Sequence, residues 1–371
     1  MVDLKGQYRH IQDEVLNGIK DTLENTQFIN GQVVKTFAAS LEQYLGVKHV
    51  IPCGNGTDAL QIALMSLGLS AGDEVITTPF TFVATAEVIA LLNLKPVFVD
   101  VVPGTYLMDV SKIEEAITPR TKCVIPVHLF GQCVDMESLM DICQKHDIRI
   151  VEDNAQAIGA EVKMRSGQTH KSGTMGDIGT TSFFPSKNLG CYGDGGAIFT
   201  NDDELARLMR MIVNHGSSKK YYHDVIGVNS RLDSLQAVVL NAKLPHLDQY
   251  NKARLAVACF YNKAFADLEQ VQTPVFTDWS THVFHQYTLT VPADKRDAMM
   301  QFLKERGVSS AIYYPVPLHL QKGYAASGFQ VGDFPVAEEL SARVISLPIH
   351  TEMDADKLEY ISQTVIEFFN S

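Results

Sequence analysis

The sequence predicts an α/β protein: a large, mostly parallel sheet with helices on both faces, followed by a smaller α+β part. Three observations predict it. From about residue 49 to residue 213, short apolar runs alternate with segments of helical period, the pattern of βα units. Glycine-rich or Asx-containing turns follow several of those runs, where open α/β sheets place their ligands. At 371 residues the chain exceeds one ordinary core, so a large domain (1–245) and a smaller one (246–371) are expected.

In chain order, Tyr8 to Asn25 and Val33 to Leu45 carry apolar residues at helical spacing, separated by the turn FINGQ, Phe28 to Gln32. The expected strands are His49 to Pro52, Glu74 to Thr77, Lys95 to Val101, Cys123 to Val127, Ile148 to Asp153, Thr180 to Phe184 and Ala197 to Thr200. Helices are expected between them at Thr57 to Leu67, Thr81 to Leu92, Asp135 to His146 and Asp203 to Val213. A long helical stretch from Ser234 towards Tyr261 has Pro245 near a joint. Beyond it come a strand, His285 to Val291, a helix, Asp297 to Arg306, and a final helix, Asp354 to Phe369.

Composition excludes several classes. A hydrophobic content of 46%, with 20% charged residues, is that of a globular protein. The net charge of -12 argues against a general nucleic-acid or anionic-membrane binder, though not against a small anion in a local pocket. No apolar run reaches the roughly 18 residues of a membrane span. MVDLKGQYRH lacks the apolar core of a signal peptide. The six cysteines are scattered, without CxxC or zinc-site spacing, so no metal is expected and reduced thiols in the cytoplasm fit best.

Five stretches could carry chemistry. GNGTDA, Gly54 to Ala59, follows a strand and opens a helix. It reads as a phosphate cradle at a helix N-terminus, as a dinucleotide turn, or as a plain helix start capped by Thr57. The acid a dinucleotide needs is absent from the end of the next strand, where Asp73 and Glu74 come too early. VEDNAQA, Val151 to Ala157, puts Asp153 at a strand end, where it either faces a ligand cation or caps the helix expected next. Gln156 serves a capping box or faces the same ligand. TPFTFVATA, Thr78 to Ala86, offers Phe80 or Phe82 as core or as a platform for a flat ring. VNSRLDSLQA places Asn229 and Arg231 just before a helix, with a surface cap as the ordinary role. Finally, TTSFFPSKNLGCYGDGGA, Thr180 to Ala197, holds Lys187 just past a strand end among glycines. A lysine poorly solvated there has a lowered pKa and can form a Schiff base. An anion cradle, a platform aromatic, a carboxylate and such a lysine together suit pyridoxal 5′-phosphate.

GNGTDALQ, TPFTFVATAE, EDNAQAIGA, SFFPSKNLG with GDGGAIFTN, HG, GVNSRLDSLQA, HQYTL and YYPVPLHLQ occur in this order over nearly the whole chain. The series resembles the pyridoxal-phosphate-dependent nucleotide-sugar aminotransferases of the DegT/DnrJ/EryC1/StrS family. The resemblance implies the aspartate-aminotransferase-like fold (fold type I) and a homodimer with shared active sites. It implies Lys187 as the Schiff-base lysine and Asp153 as partner of the pyridine nitrogen. Gln156 would lie beside the phenolic oxygen and Phe82 against the ring, with Gly56, Thr57 and Ser182 as the phosphate cradle and Asn229 reaching in from the other subunit. SFFPSKNLGCYGDGGAIFTNDDELA further resembles aminotransferases acting on UDP-2-acetamido-2-deoxy-3-oxo-D-glucuronate, which serve bacterial surface polysaccharide synthesis. Arg231 would then meet the sugar carboxylate, Tyr313, Tyr314 and His319 would line the sugar pocket, and L-glutamate would be the donor. A dTDP-3-oxo-6-deoxyhexose, or binding without catalysis, are the alternative readings.

Overall fold

In the computed structural model, residues 1–370 are described, position 326 by its backbone alone. Seven strands form the central sheet: β1 (His49–Cys53), β2 (Glu74–Thr77), β3 (Lys95–Phe98), β4 (Thr121–Val124), β5 (Arg149–Asp153), β6 (Ile178–Ser182) and β7 (Gly196–Thr200). Their spatial order is β1-β7-β6-β5-β4-β2-β3. β2 to β6 run parallel, whereas β7 is antiparallel to both β6 and β1. The parallel strands are apolar because both faces are covered. Val75, Cys123, Val151, Ile178 and Ile198 pack with helix residues Leu60, Ile62, Val88 and Met209 on one side. Ile76, Val124 and Ile150 pack with Leu139 and Cys143 on the other.

All seven expected strands and the helices between them are present, with shifted ends. β6 begins two residues earlier than expected, at Ile178, and its Gly179 lies so close to the Gly173 carbonyl that a Cβ there would overlap it. At the other end, Phe183 N still donates to Gly195 O at 2.7 Å, but Phe184 has left the ladder. Helix Gly56–Ser66 is capped by Asn55, whose Oδ1 accepts from Asp58 N at 2.8 Å, and not by Thr57. No helix succeeds Asp153; its Oδ1 accepts from Ala155 N at 3.1 Å in an Asx turn.

Near the expected division at 245, helix Ser234–Lys243 passes through a 3₁₀ turn, Leu244–His246, into helix Leu247–Ala264. A separate apolar cluster gathers Val257, Tyr261, Tyr287, Leu289, Leu303, Ile345, Leu347 and Val365 around the antiparallel pair Tyr287–Thr290 and Val344–Leu347. The second strand of that pair and the helix Pro335–Arg343 before it carry no strong signal in the sequence. Among the described residues, no helix is long and apolar enough to cross a membrane. All six cysteines are free, and only Cys259 is exposed.

Candidate active site

The ends of β1, β2, β5 and β6 and the start of β7 open on one edge of the sheet, where a cavity of about 650 Å³ lies. Its walls bring together Gly56, Thr57, Phe82, Asp153, Gln156, Ser182, Lys187, Tyr313 and Tyr314. A depression of similar size, about 600 Å³, runs along Thr26 to Gln32 and Lys35, but no carboxylate lines it.

Lys187 sits in a tight turn, its own N–H donating to Phe184 O at 2.8 Å. Protein surrounds it, and that desolvation lowers its pKa to about 8 against the opposing pull of the Asp153 carboxylate. Asp153 is only 5% exposed, and its Oδ2 accepts a 2.7 Å hydrogen bond from Thr85 Oγ1. Thr85 lies in the first turn of helix Ala84–Leu91, within a stretch whose sequence interest was its aromatics.

Gln156 is oriented from both ends: its Oε1 accepts from Phe130 N at 2.8 Å, and its Nε2 donates to Tyr314 Oη at 3.1 Å. Burial pushes the Tyr314 phenol pKa far up, so it stays a hydrogen-bonding hydroxyl. Phe82 is 55% exposed towards this space with its ring 6.4 Å from that of Tyr314, whereas Phe80 is fully buried core. On the far side, Gly56 faces Ser182 so closely that an added Cβ would come within 2.7 Å of Ser182 Cβ. Asp58 N is taken by the Asn55 cap, while the Gly56 and Thr57 amides precede any carbonyl of the helix's own, which suits an anion.

Two further residues complete the wall. His285 and Gln286 come from the loop before strand Tyr287–Thr290, far along the chain. His285 is buried, desolvation holds its imidazole well below its usual pKa, and its Nδ1 has no hydrogen-bond partner.

Three expected residues are not brought to this cavity within one chain. Asn229 is exposed and pairs with Asn214 through a backbone bridge. Arg231 has no ion-pair partner among the described residues, while the intervening Ser230 Oγ accepts from Gly54 N at 2.9 Å and donates to Asp58 Oδ2 at 2.6 Å. His319 departs most from expectation. Its ring is 2% exposed, packs edge-on to Phe334 at 4.8 Å, and its Nε2 lies 3.0 Å from Glu338 Oε1. The 3₁₀ turn Leu318–Leu320 directs it into the protein, so it does not line the cavity.

The residues present fit pyridoxal 5′-phosphate: a glycine-walled cradle for the phosphate, an open aromatic face, a held carboxylate and an amine of lowered pKa.

Known proteins are similar to this chain over nearly its whole length. The model of the DegT/DnrJ/EryC1/StrS aminotransferase family matches residues 9–366. The UDP-N-acetyl-3-dehydro-alpha-D-glucosamine 3-aminotransferase of Acidithiobacillus ferrooxidans is 46% identical over 98% of this chain and 96% of its own. The UDP-2-acetamido-2-deoxy-3-oxo-D-glucuronate aminotransferase of Pseudomonas aeruginosa is 44% identical over 97% of each. NtdA from Bacillus subtilis, solved with bound cofactor PMP, superposes with a TM-score of 0.90 at 30% identity, covering 98% of this chain and 82% of that one. With the lysine, carboxylate and anion cradle at one sheet edge and the family match running nearly end to end, the chain belongs to the DegT/DnrJ/EryC1/StrS aminotransferase family.

Proposed function

We propose that this protein moves the amino group of L-glutamate to the C3 ketone of a UDP-linked 3-oxo-sugar, with UDP-2-acetamido-2-deoxy-3-oxo-D-glucuronate as the substrate, in the synthesis of sugars for bacterial surface polysaccharide. The observation that carries the reading is Lys187, an amine with its pKa near 8, in one cavity with the held carboxylate of Asp153.

Bound there, pyridoxal 5′-phosphate supplies an electron sink for the carbon that gains or loses the amino group. The chain's own groups do the rest. Lys187 Nζ would hold the cofactor through its aldehyde carbon and, as an amine of lowered pKa, would serve as the general base and acid at the reacting carbon. Asp153, fixed by Thr85 and Ala155 N–H, would keep a proton on the ring nitrogen. Gln156, pinned between Phe130 and Tyr314, would lie beside the phenolic oxygen. Gly56, Thr57 and Ser182 would hold the phosphate, and Phe82 would cover one face of the ring.

Two features support a homodimer with shared sites. Asn229 and Arg231 have no ligand-like partner in their own chain, and the family resemblance implies that Asn229 would reach into the neighbouring site. Lys187 is the only cationic side chain among the residues lining the cavity, so a sugar carboxylate has its partner in Arg231 from the second subunit. A guanidinium suits it, as it meets a carboxylate with two parallel hydrogen bonds. The same lining also suits a neutral 3-oxo-hexosamine such as that in the name of the Acidithiobacillus relative.

The test has two arms. Borohydride reduction of the holoprotein, then peptide mapping, should label Lys187, and Lys187→Ala should abolish both label and visible absorbance. The amino-loaded protein is then offered UDP- and dTDP-linked 3-oxo sugars, and the UDP-uronate should restore the aldehyde-form absorbance fastest. A label on another lysine, or turnover with dTDP sugars alone, rejects the reading.

A further inference from the structure

Behind the Lys187 loop stands a second lysine that the reaction does not use. Lys243, the last residue of helix Ser234–Lys243, is 1% exposed. Its Nζ donates a 2.7 Å hydrogen bond to Gly190 O and lies 4.6 Å from the centroid of the Tyr192 ring. No carboxylate pairs with it among the described residues, and burial lowers its pKa to about 8. An unpaired buried ammonium is costly, and a methionine would fill the same space without that cost. What the ammonium adds is its one strong contact, a charge-assisted bond to a carbonyl.

That carbonyl belongs to the lysine loop. Between Phe183 and Gly195 the chain folds back on itself, with Lys187 N bonded to Phe184 O and Cys191 N to Phe183 O, both at 2.8 Å. Gly190 packs directly onto the residues before Lys187; a Cβ there would overlap Pro185 O and lie 2.8 Å from Phe184 O. Displacing Gly190 therefore disturbs the turn on both sides of Lys187. The helix Ser234–Lys243 grips this loop with one face. Gln236 Oε1 accepts from Tyr192 N at 2.9 Å, and Lys243 comes two turns later on the same side. From the next helix, Asn251 Oδ1 accepts from Asn188 Nδ2 at 2.8 Å.

We propose that Lys243 is a positioning residue whose buried ammonium, anchored on the Gly190 carbonyl, fixes the turn that aims Lys187 into the cavity. The inference rests on the reading of Lys187 as the Schiff-base lysine.

Lys243→Met keeps the length and removes the charge and the donor; Lys243→Arg keeps both. In the cofactor-free protein, amide exchange in the 188–193 segment should speed up at least tenfold in Lys243→Met and stay near wild type in Lys243→Arg. With the cofactor bound, the pH midpoint of the visible absorbance band should move by about one unit in Lys243→Met only. A merely packing role would lower the melting temperature and leave the band midpoint in place, which overturns the proposal, as does unchanged loop exchange. If Lys243→Met fails to fold, Gln236→Leu frees the same loop at Tyr192. A smaller shift in the same direction is expected, and no shift overturns the proposal. Borohydride mapping of the wild type separates the two ideas. A label away from Lys187 rejects the premise, while a label on Lys187 with an unmoved midpoint in the variants rejects the role of Lys243 alone.

Discussion

Thr85 Oγ1 donates a 2.7 Å hydrogen bond to Asp153 Oδ2 inside the protein, joining the helix start after β2 to the end of β5. With Oδ1 taken by the Ala155 N–H, both oxygens of the carboxylate are oriented before any ligand arrives. A hydrogen bond to a charged group contributes about 1.5–3 kcal/mol. Thr85→Val should therefore weaken cofactor affinity by roughly tenfold, since about 1.4 kcal/mol is a factor of ten. Thr85→Ser should recover most of it. Equilibrium titration of the cofactor-free protein checks this, and affinity within twofold of wild type in Thr85→Val would remove Thr85 from the site's design.

The Lys187 amine reacts only when unprotonated, and burial lowers its pKa to about 8. The rate at which the cofactor-free protein takes up the cofactor should rise about tenfold per pH unit below that value and level off above it. Stopped-flow absorbance across pH 6 to 10 gives the midpoint. One near the ordinary lysine range of about 10.4 would show that the desolvation is not felt.

Gly56→Ala brings a Cβ within 2.7 Å of Ser182 Cβ and 3.2 Å of Ser182 Cα, so the Gly56 turn, the proposed phosphate cradle, must move off β6. Overpacking of this kind costs about 1–3 kcal/mol. Both the melting temperature and the affinity for cofactor should fall. Binding calorimetry showing undiminished affinity would place the phosphate elsewhere.

Acid should loosen the wall of the cavity. His282 is buried with its ring 3.6 Å above that of Phe284, its Nδ1 accepts from Phe284 N at 3.1 Å, and desolvation lowers its pKa to about 3. The unfolded chain takes up that proton near pH 6.5 and the folded one does not. Stability is thus full above pH 6.5 and declines by about 1.4 kcal/mol per pH unit per such histidine as the pH falls towards 3. His285 should act in the same direction. Urea unfolding between pH 7 and 5 should show the decline, and His282→Asn should flatten it.

Arg231→Leu separates the sugar readings. The variant should lose at least tenfold in kcat/KM for a uronate and change less than threefold for the corresponding neutral hexosamine. Equal losses on both would assign Arg231 to holding the dimer or the turn at Gly54, not to the sugar carboxylate.

The βα alternation was legible because apolar period and strand-end turns are local properties. So was the candidate site's chemical inventory, because Asp153 ends a strand and Lys187, Gly56 and Phe82 follow strands in recognisable turns. His285, Gln286 and Thr85 were not singled out, since nothing near them in sequence says which other segment they will face. His319 was misplaced for the same reason: YYPVPLHLQ shows a polar residue in a turn, but only packing against Phe334 and Glu338 decides that it points inward.

By itself, the sequence determined the strands of the central sheet, and it picked out Lys187 and the Gly54 to Ala59 turn as candidates for chemistry. The tertiary structure decided that the Lys187 turn is gripped from behind by Gln236, Lys243 and Asn251, and that Asp153 is held by Thr85. Periodicity reports the geometry within one element. Strand order is set by crossovers that place β7 between β1 and β6, and those long-range neighbours fix where each side chain points.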